Sequence, residues 1–530
     1  MKIVYTLLFL LFILPSLIYS QQNCILIIVD DVSPDYFSCF SKTTDTAKTP
    51  QINQLAAEGM RFTNVWANPV CSPTRAGMIT GRYSFRTGVG EVVAGNLSAQ
   101  LDTAEVTVAK ILKTNPQIKY HTACVGKWHL HNNTAAKRTY PNKMGFDYYS
   151  GNFLGSLTNY YEYPIVLNGL LDTARQYATT QTVNDAINWL DQIPSSEPFF
   201  IWMAFNAAHT PFHLPPAQLC DVTGLSGTSS HINANKSLYF KASLQALDTE
   251  IGRLLYYLKN KGQLSNTNII LIADNGNAPS VAQNGNASHS KNTLYNYGVH
   301  VPLIVNGPSV VAPGTSSTHL INLQDLFATI LELCGITFWQ QQIPQSTSID
   351  SKSFYPYLKN ELKPIRNWIF SEQFQDSTKA SDGKTIRNND YQLIRFDLGT
   401  EEFYNLTTDP KETVNLLSQS MTNEQRTQYY SLCDSLNLLI NQNPCSTVST
   451  EAVNDMNFKF FPNPISDQLC LEINNDLRFG FQLYNNTGSK LSYGELDASK
   501  SCLEFNQYPD GIYFLRLSAK GEEIILKIVK

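Results

Sequence analysis

Apolar positions through the first 350 residues alternate between two patterns. Short, nearly continuous apolar runs mark buried strands at Cys24–Val29, His121–Val125, Phe199–Phe205, Asn268–Ala273 and Val301–Val305. Between them apolar residues recur at helical spacing, as in Val183, Ala186, Ile187 and Leu190, and in Leu244, Leu247, Ile251, Leu254 and Leu258. Thr49-Pro50 opens a further helix that closes at Gly59, with an N-cap residue, a proline at the first helical position and a terminating glycine. Strands alternating with helices predict an α/β fold: a mostly parallel sheet flanked by helices on both faces, spanning residues 21–350. No internal repeat is present.

From about residue 350 this rhythm weakens. The polar stretch Ser377–Asn389 reads as a loop, Tyr391–Arg395 and Glu402–Leu406 as strands, and Glu424–Asn441 as a helix. Residues 351–445 are therefore expected to form a small α+β subdomain, followed by a polar linker at 446–457. Residues 458–530 change character again, with short alternating strands separated by turn signals such as Asn486-Thr487-Gly488. That pattern predicts a separate β-sandwich.

Composition adds compartment and excludes one class of partner. A chain of 530 residues predicts two or three domains. Its net charge is 39 − 44 = −5 with no recurring basic block, which argues against nucleic acid as a partner. Charged residues make up 16% of the chain against a typical quarter, while uncharged polar residues are abundant, as suits an exported protein. Residues 1–20 carry Lys2, an apolar run broken at Pro15, and Tyr19-Ser20, and read as a cleaved secretory signal peptide rather than a membrane anchor. Ten cysteines in an exported chain permit disulfides, with Cys433–Cys445 and Cys470–Cys502 as local pairs.

Several short stretches carry candidate chemistry. Cys71-Ser72-Pro73-Thr74-Arg75 places a cysteine where a loop becomes a helix running to Thr80, so that helix N–H groups and the positive dipole end face its side chain. Alone, such a cysteine is as well explained by a small buried residue before an ordinary helix. Asp30-Asp31 and Asp274-Asn275 each follow an apolar strand, at the sheet edge where open α/β folds put their sites. Three carboxylates and an amide make an all-oxygen donor set that favours Ca²⁺, or Mg²⁺, over zinc; helix or turn capping is the alternative for Asp30-Asp31 alone. In Gly126-Lys127-Trp128-His129-Leu130, continued extended backbone would put Lys127 and His129 on one side and Trp128 on the other. A cation beside an imidazole suits an anion and a proton transfer, or else a surface lysine and a packed histidine. His209, in His209-Thr210-Pro211-Phe212-His213, is a general acid or a turn histidine, and Lys291 is a ligand or a solvated charge.

Taken in order, Asp-Asp, Cys-x-Pro-x-Arg, Gly-Lys-Trp-His, His-x-Pro, Asp-Asn-Gly and Lys resemble the formylglycine-dependent type I sulfatases of the alkaline phosphatase superfamily. Thr80-Gly81-Arg82-Tyr83, Asp325–Ile330 and Asp409-Pro410-Lys411-Glu412 resemble that family too, over about residues 23–420. The resemblance implies that a maturation enzyme, either formylglycine-generating or anaerobic sulfatase-maturating, oxidises Cys71 to formylglycine. It implies that Asp30, Asp31, Asp274, Asn275 and modified Cys71 bind calcium, that Arg75 holds the formylglycine, and that Lys127 and Lys291 clamp sulfate. His129 would be the base that releases the aldehyde, and His209 the acid at the leaving oxygen. A hydroxyl of the hydrated aldehyde would attack sulfur, and the second would then expel sulfate. The implied substrate is a sulfated carbohydrate; the rivals are a phosphodiester or phosphonate hydrolase on the same scaffold, and an inactive binder of sulfated glycans.

The chain departs from the family pattern at Asn296-Tyr297-Gly298, at His300 and at His131, positions expected near the pocket mouth. The tail, with Pro462-Asn463-Pro464, Gly511-Ile512-Tyr513 and basic Lys527 and Lys530, resembles the C-terminal sorting domain of the type IX secretion route. That implies secretion machinery as a partner and a cell-surface or secreted product; a carbohydrate-binding sandwich is the alternative.

Overall fold

The computed structural model describes residues 21–41, 45–95, 98–283, 286–440, 458–461, 465, 467–473, 479–485, 489–496, 501–519 and 522–530. The expected signal peptide, the 446–457 linker, Pro462-Asn463-Pro464, Asn486-Thr487-Gly488 and Cys445, the expected partner of Cys433, lie outside the described residues. The chain divides into two compact units, Met1–Cys445 and Ser446–Lys530.

Ten strands form the sheet of the first unit: β1 (Asn23–Val29), β2 (Met60–Trp66), β3 (His121–Lys127), β4 (Tyr148–Asn152), β5 (Tyr163–Leu167), β6 (Leu170–Ala174), β7 (Phe199–Ala204), β8 (Thr267–Ala273), β9 (Leu303–Asn306) and β10 (Thr315–Asn322). Their order across the sheet is β10-β2-β9-β8-β1-β7-β3-β4-β5-β6. The central neighbours β8-β1-β7-β3-β4 run parallel throughout. The edges do not. β9, expected among the parallel strands, runs against both β8 and β2, and β5 and β6 form an antiparallel hairpin beside β4. An apolar run such as Val301–Val305 signals burial on both faces but carries no direction, which only the connections set.

Strand β1 is buried along its whole length, and its Ile25, Ile27 and Val29 alternate in facing with Leu26 and Ile28, so each side meets a layer of helices. The long helix Lys236–Asn260 and the helix Ala178–Leu190 lie where the helical spacing placed them. The helix after Thr49, α1, spans Pro50–Ala57, but Thr49 makes no side-chain cap. Asp248, from the long helix, accepts instead from the backbone N–H groups of Gln51 (3.1 Å) and Ile52 (2.8 Å). A cap supplied across a helix–helix contact leaves no local sequence mark.

The smaller sheet holds β11 (Ile369–Gln373), β12 (Gly383–Arg387), β13 (Tyr391–Phe396) and β14 (Glu401–Asn405), antiparallel in that order, with the helix Asn423–Ile440. Strand β12 falls inside Ser377–Asn389, which the sequence presented as a loop. Its polar residues are paired from within: Thr385 Oγ1 donates to the Leu393 carbonyl and accepts from Gln392 Nε2. Polarity therefore marked a strand whose side chains find partners in the fold.

In the second unit, strands Phe458–Phe461, Gln468–Ile473 and Ser501–Glu504 form one antiparallel sheet. Lys490–Leu496, Phe479–Asn485, Ile512–Ala519 and Glu522–Val529 form another. Leu469, Leu483, Phe505, Leu515, Leu517 and Ile528 make its core, and a disulfide joins Cys470 to Cys502.

Backbones crowd where the central strands end. Gly126 has φ 90°, and a Cβ there would lie 2.0 Å from the Ala204 carbonyl oxygen; one on Gly151 would lie 1.8 Å from the Gly126 oxygen. The next residue is Lys127. Gly126→Ala is therefore expected to lower stability by about 3 kcal/mol, from a strained φ and a backbone clash together. Chemical denaturation checks this, and a variant within about 0.5 kcal/mol of the parent would contradict it.

Candidate active site

Strands β1 and β8 are neighbours, so Asp30-Asp31 and Asp274-Asn275 emerge side by side at the C-terminal sheet edge. The ladder continues into the site: the Asp274 N–H donates to the Val29 carbonyl at 3.1 Å, and the Asp31 N–H to Asp274 Oδ1 at 3.2 Å. Asp31 takes φ 62°, which turns the chain out of the strand. Behind it, Ser33 and Asn277 lock the two loops together: the Ser33 N–H donates to Asn277 Oδ1 and the Asn277 N–H to Ser33 Oγ. Neither residue was anticipated, because their reciprocal pairing joins positions far apart in the chain.

Cys71 is the first residue of helix α2, Cys71–Thr80, every residue of which is buried. Its Sγ lies 3.5 Å from Lys127 Nζ, 3.8 Å from Lys291 Nζ and 3.9 Å from Asp30 Oδ1. Burial nevertheless pushes the thiol up to about 11, overriding the two ammonium groups. Unmodified, the side chain is therefore a thiol rather than a thiolate.

Charges around it are paired. Lys127 Nζ contacts Asp30 Oδ2 at 2.5 Å, and Lys291 Nζ contacts Asp31 Oδ1 at 2.6 Å. Arg75, fully buried, donates to Asp274 Oδ2 from Nη2 (2.7 Å) and Nε (3.2 Å), and to the Lys127 carbonyl from Nη1 (2.9 Å). Its bonds go to Asp274 and the strand end, with none to Cys71 among the described hydrogen bonds. Burial, with Asp274 beside it, raises the Asp30 carboxyl to about 6, Lys127 opposing. Burial alone would raise Asp31 too, but Lys291, His209 and Lys127 hold it well below the ordinary carboxylate range.

Lys127 ends β3, and the expected extended continuation stops there, since His129 has φ 53°. Lys127 and His129 still reach the same site, while Trp128 packs away from it against His131, Phe146 and Tyr149. Burial and the nearby Lys127 and Arg75 charges hold the His129 imidazole well below its usual range, so it is neutral, and its Nδ1 has no hydrogen-bond partner. Gly155 makes room for the ring, since a Cβ there would fall 2.6 Å from Cε1 and Nε2. His209 Nε2 lies 3.5 Å from Asp31 Oδ2, and its Nδ1 pairs with the Thr210 carbonyl at 2.8 Å. Tyr160 fixes this loop by donating to the carbonyls of Asn206 (2.6 Å) and His209 (2.7 Å). His213 stacks on Tyr160 and pairs with the Tyr177 hydroxyl.

Ligand atoms of Asp30, Asp31, Cys71 and His209 all lie within 4.8 Å of one another. Asp274 and Asn275, also expected in the metal set, adjoin this group through hydrogen bonds with the Asp31 N–H and Asp31 Oδ1. Asn275 Nδ2 donates to Asp31 Oδ1 at 2.7 Å, but its Oδ1 is buried without a partner. An orphaned amide oxygen among three carboxylates suits a hard divalent cation.

Above Cys71 opens a cavity of about 460 Å³ that His129, His209 and Lys291 also line, with Val92, Val93, Phe153 and Leu154 as apolar walls. Asn132, Asn133 and Ser156 add polar groups. The departures expected at the pocket mouth are not there. His131 is buried and bonds the Leu101 carbonyl, His300 bonds the Thr63 carbonyl, and Tyr297 donates to Asp35. These side chains are bonded into the fold outside the cavity lining, a placement that a one-dimensional motif comparison does not reveal.

Residues 22–336, more than half of the chain, match the sulfatase family model. Residues 286–437 match the N-sulphoglucosamine sulphohydrolase C-terminal model, and 459–530 the secretion system C-terminal sorting domain. Arylsulfatase J of Mus musculus is 28% identical over 379 residues, a match covering 69% of this chain but only 60% of that protein's length. The N-acetylglucosamine-6-O-sulfatase of Bacteroides thetaiotaomicron is 24% identical over 499 residues, covering 76% of this chain and 83% of that one. Among solved structures, Ps i-CgsB in complex with k-i-k-neocarrahexaose superposes with a TM-score of 0.67 at 23% identity, covering 81% of this chain and 95% of that one, a likeness of fold. With that architecture, and with its ordered motifs converging on one sheet edge, the chain belongs to the sulfatase family and ends in a type IX secretion sorting domain.

Proposed function

We propose that this protein is an exported hydrolase of sulfate esters, that its substrate is a sulfated carbohydrate, and that it works through a formylglycine made from Cys71. The observation that carries the reading is the pair of ammonium groups, Lys127 and Lys291, at 3.5 and 3.8 Å from Cys71 Sγ on the cavity floor. Two cations converging on one reactive position stabilise an anionic group held there and the charge that grows on its oxygens during transfer. A neutral buried thiol supplies one nucleophilic atom and no second hydroxyl. A hydrated aldehyde would supply both the group that takes up sulfate and the one that lets it go. Every residue of α2 is buried, so the maturation enzyme would act before this helix packs.

Asp30, Asp31, Asp274 and Asn275 would hold Ca²⁺ or Mg²⁺, with the modified Cys71 as a further ligand; the ion would neutralise negative charge beside it. Arg75 holds Asp274 in place through two bonds, and so orients that carboxylate. His129, neutral and with an unpartnered Nδ1, is suited to accept a proton. His209 faces the cavity with Nε2 while the Thr210 carbonyl fixes its other nitrogen. In its doubly protonated form it can donate a proton to the departing alcohol oxygen. Carbohydrate names among the relatives, and amide and hydroxyl groups in the cavity, support the sugar. The sorting domain supports export.

Three outcomes are expected. Purified protein should hydrolyse 4-nitrophenyl sulfate faster than aryl phosphate diesters, and peptide mass spectrometry should find the Cys71 peptide lighter than its thiol form. Cys71→Ala should fold yet turn nothing over. Preference for the phosphate diester would install the rival reaction, and glycan binding without turnover the inactive binder. For the ion, calcium should raise the melting temperature of the intact chain, since a ligand at 100 times its Kd adds about 2.7 kcal/mol. Asn275→Ala should weaken that response, and a melting temperature indifferent to calcium, magnesium and chelator would dismiss the site. Finally, His209→Ala should depress turnover of a sulfated sugar by about 10²–10⁴-fold. It should slow 4-nitrophenyl sulfate far less, because nitrophenolate departs without a proton. Equal losses on both substrates in folded protein would remove His209 from the acid role.

A further inference from the structure

A second cavity, of about 160 Å³, lies beside the catalytic one. Val92 lines both. Two other walls adjoin catalytic positions: Val70 precedes Cys71, and Asn292 follows Lys291. The rest of the lining is polar and of both charges, including Glu91, Gln373 and Lys379. Its volume is well below the roughly 300–1,000 Å³ of pockets for drug-sized ligands, which leaves room for one small polar unit.

Gln373 leaves an unpaired acceptor in the cavity wall. It ends β11, is 3% exposed, and donates from Nε2 to Asn292 Oδ1 at 2.9 Å. Its Oε1 is buried with no hydrogen-bond partner. Leaving such an acceptor unpaired costs about 1–3 kcal/mol, and a hydroxyl seated in the cavity would supply the missing donor. Asn292 is itself held in a left-handed conformation, φ 71°, by donating its N–H to the Pro69 carbonyl at 2.9 Å. The loop with Lys379 is fixed as well. Buried Asp382 accepts from the Lys379 N–H at 2.8 Å and from Gln375 Nε2 at 3.1 Å, which pins the loop that carries Lys379.

We infer that this cavity is a subsite for a second sugar unit, next to the one whose sulfate is removed. Gln373 Oε1 and Glu91 accept from its hydroxyls, and Lys379 donates to its oxygens. The protein then acts on sulfated di- and oligosaccharides in preference to single sulfated sugars. This rests on the sulfatase reading above and adds to it the minimum length of the substrate.

The test compares kcat/KM for 6-O-sulfated galactose, N-acetylgalactosamine and N-acetylglucosamine with that for sulfated di- and tetrasaccharides from carrageenan, chondroitin and heparan. 4-Nitrophenyl sulfate reports the reaction itself. In the parent protein the best disaccharide should exceed its own monosaccharide by roughly tenfold or more. Glu91→Ala, Lys379→Ala and Gln373→Ala should each shrink that ratio. Gln373→Ala also releases Asn292 beside Lys291, so the ratio, not the absolute rate, is read. A parent that treats monosaccharide and disaccharide alike, or a ratio unmoved in all three folded variants, overturns the subsite and leaves the sulfatase reading standing. Protein with modified Cys71 that turns over no sulfate ester of any size overturns both.

Discussion

Asp30, Asp31 and Asp274 leave two neighbouring strands into the buried edge of the sheet, where a lone carboxylate would be costly to bury. Arg75, Lys127 and Lys291 answer them one for one. Each cation arrives from a different element: a helix, a strand end and a loop. The pairing therefore fixes the relative positions of all of them. Removing any partner would leave an uncompensated charge, so the cluster holds the reacting position and the local fold in one set of contacts. The same neutrality lets two ammonium groups stand beside a buried thiol, where two cations without carboxylates would not be stable.

A second consequence concerns the loop that carries Lys291. Its lysine is placed from outside as much as from within: Asn292 is tied to Pro69 and Gln373, the Leu294 carbonyl accepts from Gln392, Tyr295 donates to Glu402, and the Asn296 N–H reaches Glu412. Four of those partners belong to the smaller sheet and the segment after it. Glu412 is buried, and burial raises its carboxyl to about 8 despite the Asn296 N–H and Arg387. The small subdomain is thus the brace for one of the two ammonium groups at Cys71. It also supplies one wall of the second cavity through Gln373 and Lys379.

The sequence by itself determined the alternation of strands and helices in the central sheet and the candidate residues that its C-terminal edge brings together. Apolar runs ending in Asp-Asp and Asp-Asn place carboxylates at strand ends because burial of a parallel strand depends on local composition. Cys71 through Thr80 opened a helix as its residues suggested. What only the tertiary structure decided are relations between residues distant in the chain. The direction of β9, the Asp248 cap on α1, the buried strand β12, the Ser33–Asn277 lock, the interior place of His131 and the His300 bond to Thr63 all depend on partners far apart in sequence. So does the neutral state of Cys71. Its place at a helix N-terminus was legible in the sequence, but burial raises the thiol, and the depth of burial is a property of the assembled fold.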